Sequence, residues 1–74
     1  MKTDVPLINI GKQGVTDSLI DELKTQLDKH GRVKVRILRS ARAKERQIIA
    51  KEVCGKTNSF LEDLKGYTFL LAKK

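Results

Sequence analysis

Apolar and polar positions alternate in blocks along the chain, and the spacing inside each block predicts its conformation. From Val5 to Ile10, apolar residues stand on both faces of an extended segment, Leu7 on one and Ile8 and Ile10 on the other. Pro6 lies near its start, where a missing donor is tolerable. This predicts a strand covered on both sides. Beyond two glycines, Leu19, Ile20, Leu23 and Leu27 recur at helical spacing. Thr16 is placed to cap that helix, Asp17 stands in its first turn and Gly31 stops it. Residues 32–39 then alternate, with Val33, Val35 and Ile37 pointing one way and Lys34, Arg36 and Leu38 the other, as in a strand with a basic face.

Ser40 is placed to cap a second helix from about Ala41 to Cys54, with Ile48, Ile49 and Val53 inward and Gly55 as terminator. Lys56 to Ser59 reads as a loop. Phe60 to Leu64 and Tyr67 to Ala72 are short apolar runs around Lys65-Gly66, the spacing of a hairpin with glycine in its turn. The order is β-α-β-α-β-β. Two helical crossovers fit parallel pairing of the early strands, and the hairpin adds an antiparallel neighbour. The expected class is therefore α/β in the two-layer α+β sense, with a mixed four-stranded sheet. Tyr67 and Phe69 share a strand face and, with Phe60, are expected to pack in the core.

Length and cysteine usage narrow the possibilities. Seventy-four residues make one domain, residues 1–74, with 1–4 a short N-terminal extension. A chain this short buries only about 60% of its unfolded surface, so a deep enclosed active site is hard to build. Cys54 is the only cysteine, which excludes an internal disulfide and a thiolate cluster for zinc, and it is expected as a small buried hydrophobe at a helix end. No apolar run approaches the roughly 18 residues of a membrane span, and Met1 to Asp4 has no apolar stretch of a leader behind it. A soluble, cytoplasmic protein without membrane association is expected. His30 reads as a residue at a helix C-terminus, since no nucleophile or carboxylate set accompanies it. No catalysis, metal or cofactor is expected.

Charge sharpens the choice of partner. The net charge of +7 predicts attraction to polyanions, and the charge is segregated. Val15 to Asp28 holds four acids (Asp17, Asp21, Glu22, Asp28) against Lys24, so the first helix turns an acidic face to solvent. Lys29 to Arg46 holds eight bases against Glu45 alone. Arg42 and Arg46 stand four apart on the predicted second helix, with Arg39 just before it; such like-charge neighbours cost about 0.2–0.5 kcal/mol per pair, which a bound polyanion would relieve. A membrane surface fits less well, because an interfacial helix combines bases with bulky apolar groups and the best amphipathic helix here is acidic.

The motif that joins this charge to a mechanism is Gly11-Lys12-Gln13-Gly14, between the first strand and the first helix. It is too short for a Walker A loop and lacks the third glycine of a dinucleotide fingerprint, so nucleotide hydrolysis is not predicted. A GxxG loop at a helix start matches the way K-homology modules clamp a nucleic-acid backbone: glycine permits close approach, the middle lysine supplies charge, and the amides opening the helix attract phosphate. The plain alternative is a tight strand-to-helix turn in which Lys12 is an ordinary exposed base.

Ile10 to Asp17, His30 through Val33-Lys34-Val35, and Gly66 to Leu71 together resemble the CRM domain, the YhbY-like family of RNA-binding modules, in family order from about residue 5 to residue 72. The resemblance implies a fold similar to the C-terminal domain of initiation factor three, and RNA binding through the loop and neighbouring basic surface. By position it makes Gly11, Lys12, Gln13 and Gly14 the loop contacts and Lys34 the strand lysine. Arg36, Arg39, Arg42, Lys44 and Arg46 are added on charge alone. Stand-alone bacterial members of the family associate with large-subunit ribosomal precursors, so the expected partner is ribosomal or pre-ribosomal RNA, with the large subunit a possible wider partner. The chain departs from the family in having only Met1 to Asp4 before its first strand, and in reading Gly31-Arg32 after His30 and Ala72-Lys73-Lys74 at its end. The alternative is an architectural DNA- or RNA-binding protein of the Alba type, which shares a related fold. The oligomeric state is left open, with a monomer the expectation.

Overall fold

The computed structural model describes residues 5–74. Strand β1 (Leu7–Ile10) leads to helix α1 (Asp17–His30) and strand β2 (Arg32–Ile37). A single 3₁₀ turn (Arg39–Ala41) precedes helix α2 (Arg46–Thr57), and strands β3 (Ser59–Lys65) and β4 (Thr68–Lys73) close the chain. The four strands form one mixed sheet in the order β1-β2-β4-β3, with β1 parallel to β2 and β4 antiparallel to both of its neighbours. The expected order of elements and the mixed two-layer sheet are both present.

Both helices lie on one face of this sheet. Val33, Val35 and Ile37 of β2 and Phe69 and Leu71 of β4 meet Ile20, Leu23 and Leu27 of α1 and Ile49, Ala50 and Val53 of α2 in one buried cluster. The alternation in β2 is what makes this possible, since every second side chain enters the core and Arg32, Lys34 and Arg36 are left on the opposite face. Helix α1 follows its signals closely. The Thr16 hydroxyl accepts from the Leu19 amide at 3.1 Å, and Gly31, with φ 78°, donates back to the Leu27 carbonyl at 2.8 Å.

Several expectations are corrected. Strand β1 is covered on one side only: Ile10 is buried, Ile8 is half-buried and Leu7 is 52% exposed, because both helices sit on the same face and among the described residues no element covers the other face of the sheet. Helix α2 starts at Arg46 rather than Ala41, since Ser40 lies within the 3₁₀ turn and residues 42–45 are irregular. From that start Ile49, Ala50, Val53 and Thr57 form the inward stripe, and Ile48 points outward, 52% exposed.

The same helix also runs past Gly55. Thr57 donates its hydroxyl to the Val53 carbonyl at 2.8 Å and accepts from the Ser59 hydroxyl at 2.7 Å; Asn58, in the left-handed conformation with φ 53°, ends the helix three residues later than expected. Among the aromatics only Phe69 is in the core. Phe60 is 56% exposed under Lys74 and Tyr67 is 40% exposed, because β4 begins at Thr68 and leaves Tyr67 in the turn. Cys54 is half-buried at the end of α2, where its thiol donates to the Ser59 carbonyl.

Of the two motif glycines, only Gly14 has a positive φ, 72°; a methyl group on Gly11 would meet Leu38 at an ordinary 3.9 Å. Gly14→Ala is therefore expected to lower unfolding free energy by about 1–2 kcal/mol, the strain of a left-handed L-residue. Gly11→Ala should leave it unchanged or raise it by up to about 1 kcal/mol. Urea denaturation of the two variants checks this, and equal losses would contradict the assignment of the turn's constraint to Gly14 alone.

Candidate nucleic-acid interface

The parallel register sets Ile10 opposite Ile37, so β1 and β2 end together. The Leu38 amide donates to the Ile10 carbonyl at 2.9 Å, and the Ile37 amide donates to the Tyr67 carbonyl at 2.7 Å. Three connections are thereby tied side by side at one end of the sheet: the glycine turn, the segment from Leu38 to Glu45, and the turn between β3 and β4.

In the first connection, the Gly14 amide closes the turn on the Gly11 carbonyl at 2.9 Å, with Lys12 and Gln13 exposed at the tip. Among the described residues, neither the Lys12 nor the Gln13 amide has a protein acceptor. The opening turn of α1 follows within three residues, adding the positive end of its dipole. Asp17 in that first turn supports the helix and limits how far the positive end extends.

The second connection carries most of the predicted bases. Arg39 and Arg46 are exposed, and among the described residues no carboxylate pairs with them. Arg42 is different. Its Nε and Nη2 both donate to the Ile37 carbonyl, each at 3.3 Å, and its guanidinium lies 3.6 Å from the centre of the Tyr67 ring. It therefore pins the segment to the sheet end and to the third connection. Because Arg42 lies outside α2, the expected like-charge strain between Arg42 and Arg46 on one helix does not exist. Lys44 faces Glu52 of α2, with Nζ 3.8 Å from Oε1.

Between the glycine turn and this segment is a cleft of about 310 Å³. Ile10 and Ile49 lie at its floor; Gly14 and Val15 line one wall and Ser40 and Ala41 the other, while Lys12, Lys44 and Glu52 also face it. A second, shallower and more polar hollow of about 400 Å³ lies between Arg42, Arg46 and Tyr67.

Lys34 and Arg36 are not part of this end in the same way. They point from the bare face of the sheet, Lys34 in a row with Leu7 and Leu70, and Arg36 in the next row with Asn9 and Thr68. The predicted residues thus fall into two groups: Gly11, Lys12, Gln13, Gly14, Arg39, Arg42, Lys44 and Arg46 at the end of the sheet, and Lys34 and Arg36 on its open face. Arg32 shares that face but is bound to Glu62 at 2.8 and 3.4 Å. The hydrogen bond to this carboxylate, and then its charge, push the Arg32 pKa above its ordinary value. Sequence reasoning missed Tyr67, Ser40 and Glu52. Tyr67 alone carried a signal, its place beside the turn glycine Gly66, where a strand residue becomes a turn residue by a shift of one position.

Among the described residues no three His, Cys, Asp or Glu side chains are placed to hold a metal ion, and no helix is long and apolar enough to cross a membrane. What this end of the molecule offers is unbonded amides, cations and a small apolar-floored cleft.

A model of the CRS1 / YhbY (CRM) domain matches residues 2–73. No curated protein matches the sequence. Among solved structures, the fold is similar to the solution structure of a hypothetical protein from Staphylococcus aureus proposed to bind RNA. The two share 22% identity with a TM-score of 0.74, over 93% of this chain and 71% of the other. At that identity the likeness carries the fold alone.

The two roles assigned to the arginines separate by stability. Arg42→Ala removes a stacked cation, worth about 0.5–1 kcal/mol at exposed sites, and charge-assisted hydrogen bonds of about 1.5–3 kcal/mol. It should lower unfolding free energy by about 1–3 kcal/mol, whereas Arg39→Ala should leave it within about 0.5 kcal/mol of the parent. Chemical denaturation of both variants measures the difference, and an unaffected Arg42→Ala protein would show that the stack does not anchor the segment.

Proposed function

The chain belongs to the CRS1 / YhbY (CRM) domain family, and on that basis we propose that it binds structured RNA, with the glycine turn and the bases at the end of the sheet forming the contact surface. One observation carries the reading. The Lys12 and Gln13 amides, the opening turn of α1 and the side chains of Lys12, Arg39 and Arg46 are brought to one end of the molecule, where Asp17 is the one acid that α1 contributes to its opening turn. Backbone amides and a helix start receive phosphate oxygens directionally, and the lysines and arginines add affinity through counterion release. Lys34 and Arg36, on the open face, extend the basic surface along β2.

On this reading RNA is recognised by shape, since deep A-form major grooves exclude side chains and phosphate contacts carry no sequence by themselves. The finer target is ribosomal or pre-ribosomal RNA in the assembly of the large subunit. That choice rests on the resemblance to ribosome-associated members of the family. A non-catalytic role in the cytoplasm goes with this reading, because a binding module for RNA precursors has no need of a catalytic group.

Neutralising about five phosphates should make log K fall with log salt at a slope of about −3.5 to −4.5. Anisotropy titrations of a structured ribosomal RNA fragment from low to moderate salt measure this, with duplex DNA of equal length alongside. Lys12→Ala should flatten the slope by about one unit. Affinity without salt dependence would overturn the electrostatic mechanism, and tighter binding to the DNA duplex would favour an architectural chromatin role over RNA.

A further inference from the structure

The cleft behind the glycine turn contains a group that the electrostatic mechanism does not use. Glu52 projects from α2 into the cleft wall, half-buried, between Lys44 and Lys56. The ammonium groups stand 3.8 Å and 3.5 Å from its two carboxylate oxygens, and among the described residues no donor makes a hydrogen bond to either oxygen. Lys44 and Lys56 offset its charge, so the cleft does not repel a nucleic-acid backbone, while both oxygens keep lone pairs that no hydrogen bond uses. Its open acceptors call for a neutral group with N–H donors. The half-buried side chains of Val15 and Ala41 on its facing walls suit a flat apolar ring, above a floor closed by the buried Ile10 and Ile49. At about 310 Å³ the cleft lies at the lower end of the roughly 300–1,000 Å³ of ligand pockets, enough for a single ring system.

We infer that this cleft holds one unpaired guanine of the bound RNA, its Watson–Crick edge on Glu52 and its ring between Val15 and Ala41. Guanine presents two N–H donors side by side on that edge, N1–H and the 2-amino group, which match the two oxygens of a carboxylate. Adenine and cytosine present one donor beside an acceptor, and uracil one donor between two acceptors; each of these sets an acceptor against the carboxylate. Lys12 at the rim is placed for a phosphate beside the extruded nucleotide. The edge must be free of a pairing partner, so the guanine belongs to a loop or bulge, where single-stranded bases are read. This rests on the proposal that the chain binds RNA and adds a base-specific element to it.

The test uses RNA hairpins identical except for one loop base, guanine, adenine or inosine, with anisotropy titrations of the parent and of Glu52→Gln. Guanine should bind about five- to 150-fold tighter than adenine. Inosine, which lacks the 2-amino group, should fall between them, a comparison that leaves the protein unchanged. Glu52→Gln should bring guanine and adenine within about twofold of each other. Equal affinity of the parent for all three hairpins, with salt dependence retained, overturns the guanine site while leaving RNA binding standing. Failure of every hairpin to bind overturns both. A uniform rise in affinity for all loops in Glu52→Gln, with the guanine preference intact, also overturns it, since the carboxylate would then be only a charge. Free guanosine monophosphate distinguishes the source: it should shift the amides of Gly14, Val15 and Glu52 only weakly, and binding as tight as the hairpin's would make a free nucleotide the ligand instead.

Discussion

The parallel pairing of β1 with β2 is the constraint on which the rest of this small molecule depends. It places Ile8 and Ile10 level with Val35 and Ile37, so that both strands end at one height. The Leu38 amide extends the pairing by one further hydrogen bond, to the Ile10 carbonyl. Segments 27 residues apart in sequence thereby leave the sheet next to one another, and the proposed binding surface, Lys34 and Arg36 on the open face apart, lies where they leave it. A one-residue slip would send Val33, Val35 and Ile37 to the bare face and bring lysine and arginine into the core. Register and function are set by the same alternation.

Once the two exits are adjacent, the chemistry divides between elements that hold and elements that present. Arg42 belongs to the first kind despite its charge: a carbonyl and a tyrosine ring occupy its guanidinium. Its planar fork suits this, because two donors can address one oxygen while the face of the group lies on an aromatic ring. Lys12, Arg39 and Arg46 belong to the second kind. A count of cations along the chain treats these residues alike, and only their surroundings separate the anchoring arginine from the ones left facing solvent.

That division marks the limit of what the sequence discloses. Periodicity and caps were sufficient for α1, where Thr16 and Gly31 bound it as their chemistry requires, and for β2, whose inward and outward residues fall as the alternation demands. The start of α2 was not legible. Ser40 is a good capping residue in isolation, but Arg42 has a tertiary partner in Tyr67, 25 positions away, that holds the chain out of helical geometry. Gly55 misleads in the same manner, because the Thr57 hydroxyl and the left-handed Asn58 supply a better end. Of the site, the glycine turn was legible from spacing and the bases from charge. The placement of Lys34 and Arg36 on a separate surface was not, because it follows from both helices sharing one side of the sheet.

The glycine turn itself carries a consequence for how this sequence can change over time. The backbone at Gly14 is left-handed, whereas Gly11 sits in a conformation and a space that would accept a methyl group. Two positions of one motif are therefore under different filters. Drift at residue 14 is screened first by folding, in every copy of the protein and before any ligand is met, whereas drift at residue 11 passes that screen and is visible only to whatever approaches the turn. A lineage that lost its ligand would be expected to forget the first glycine and keep the second.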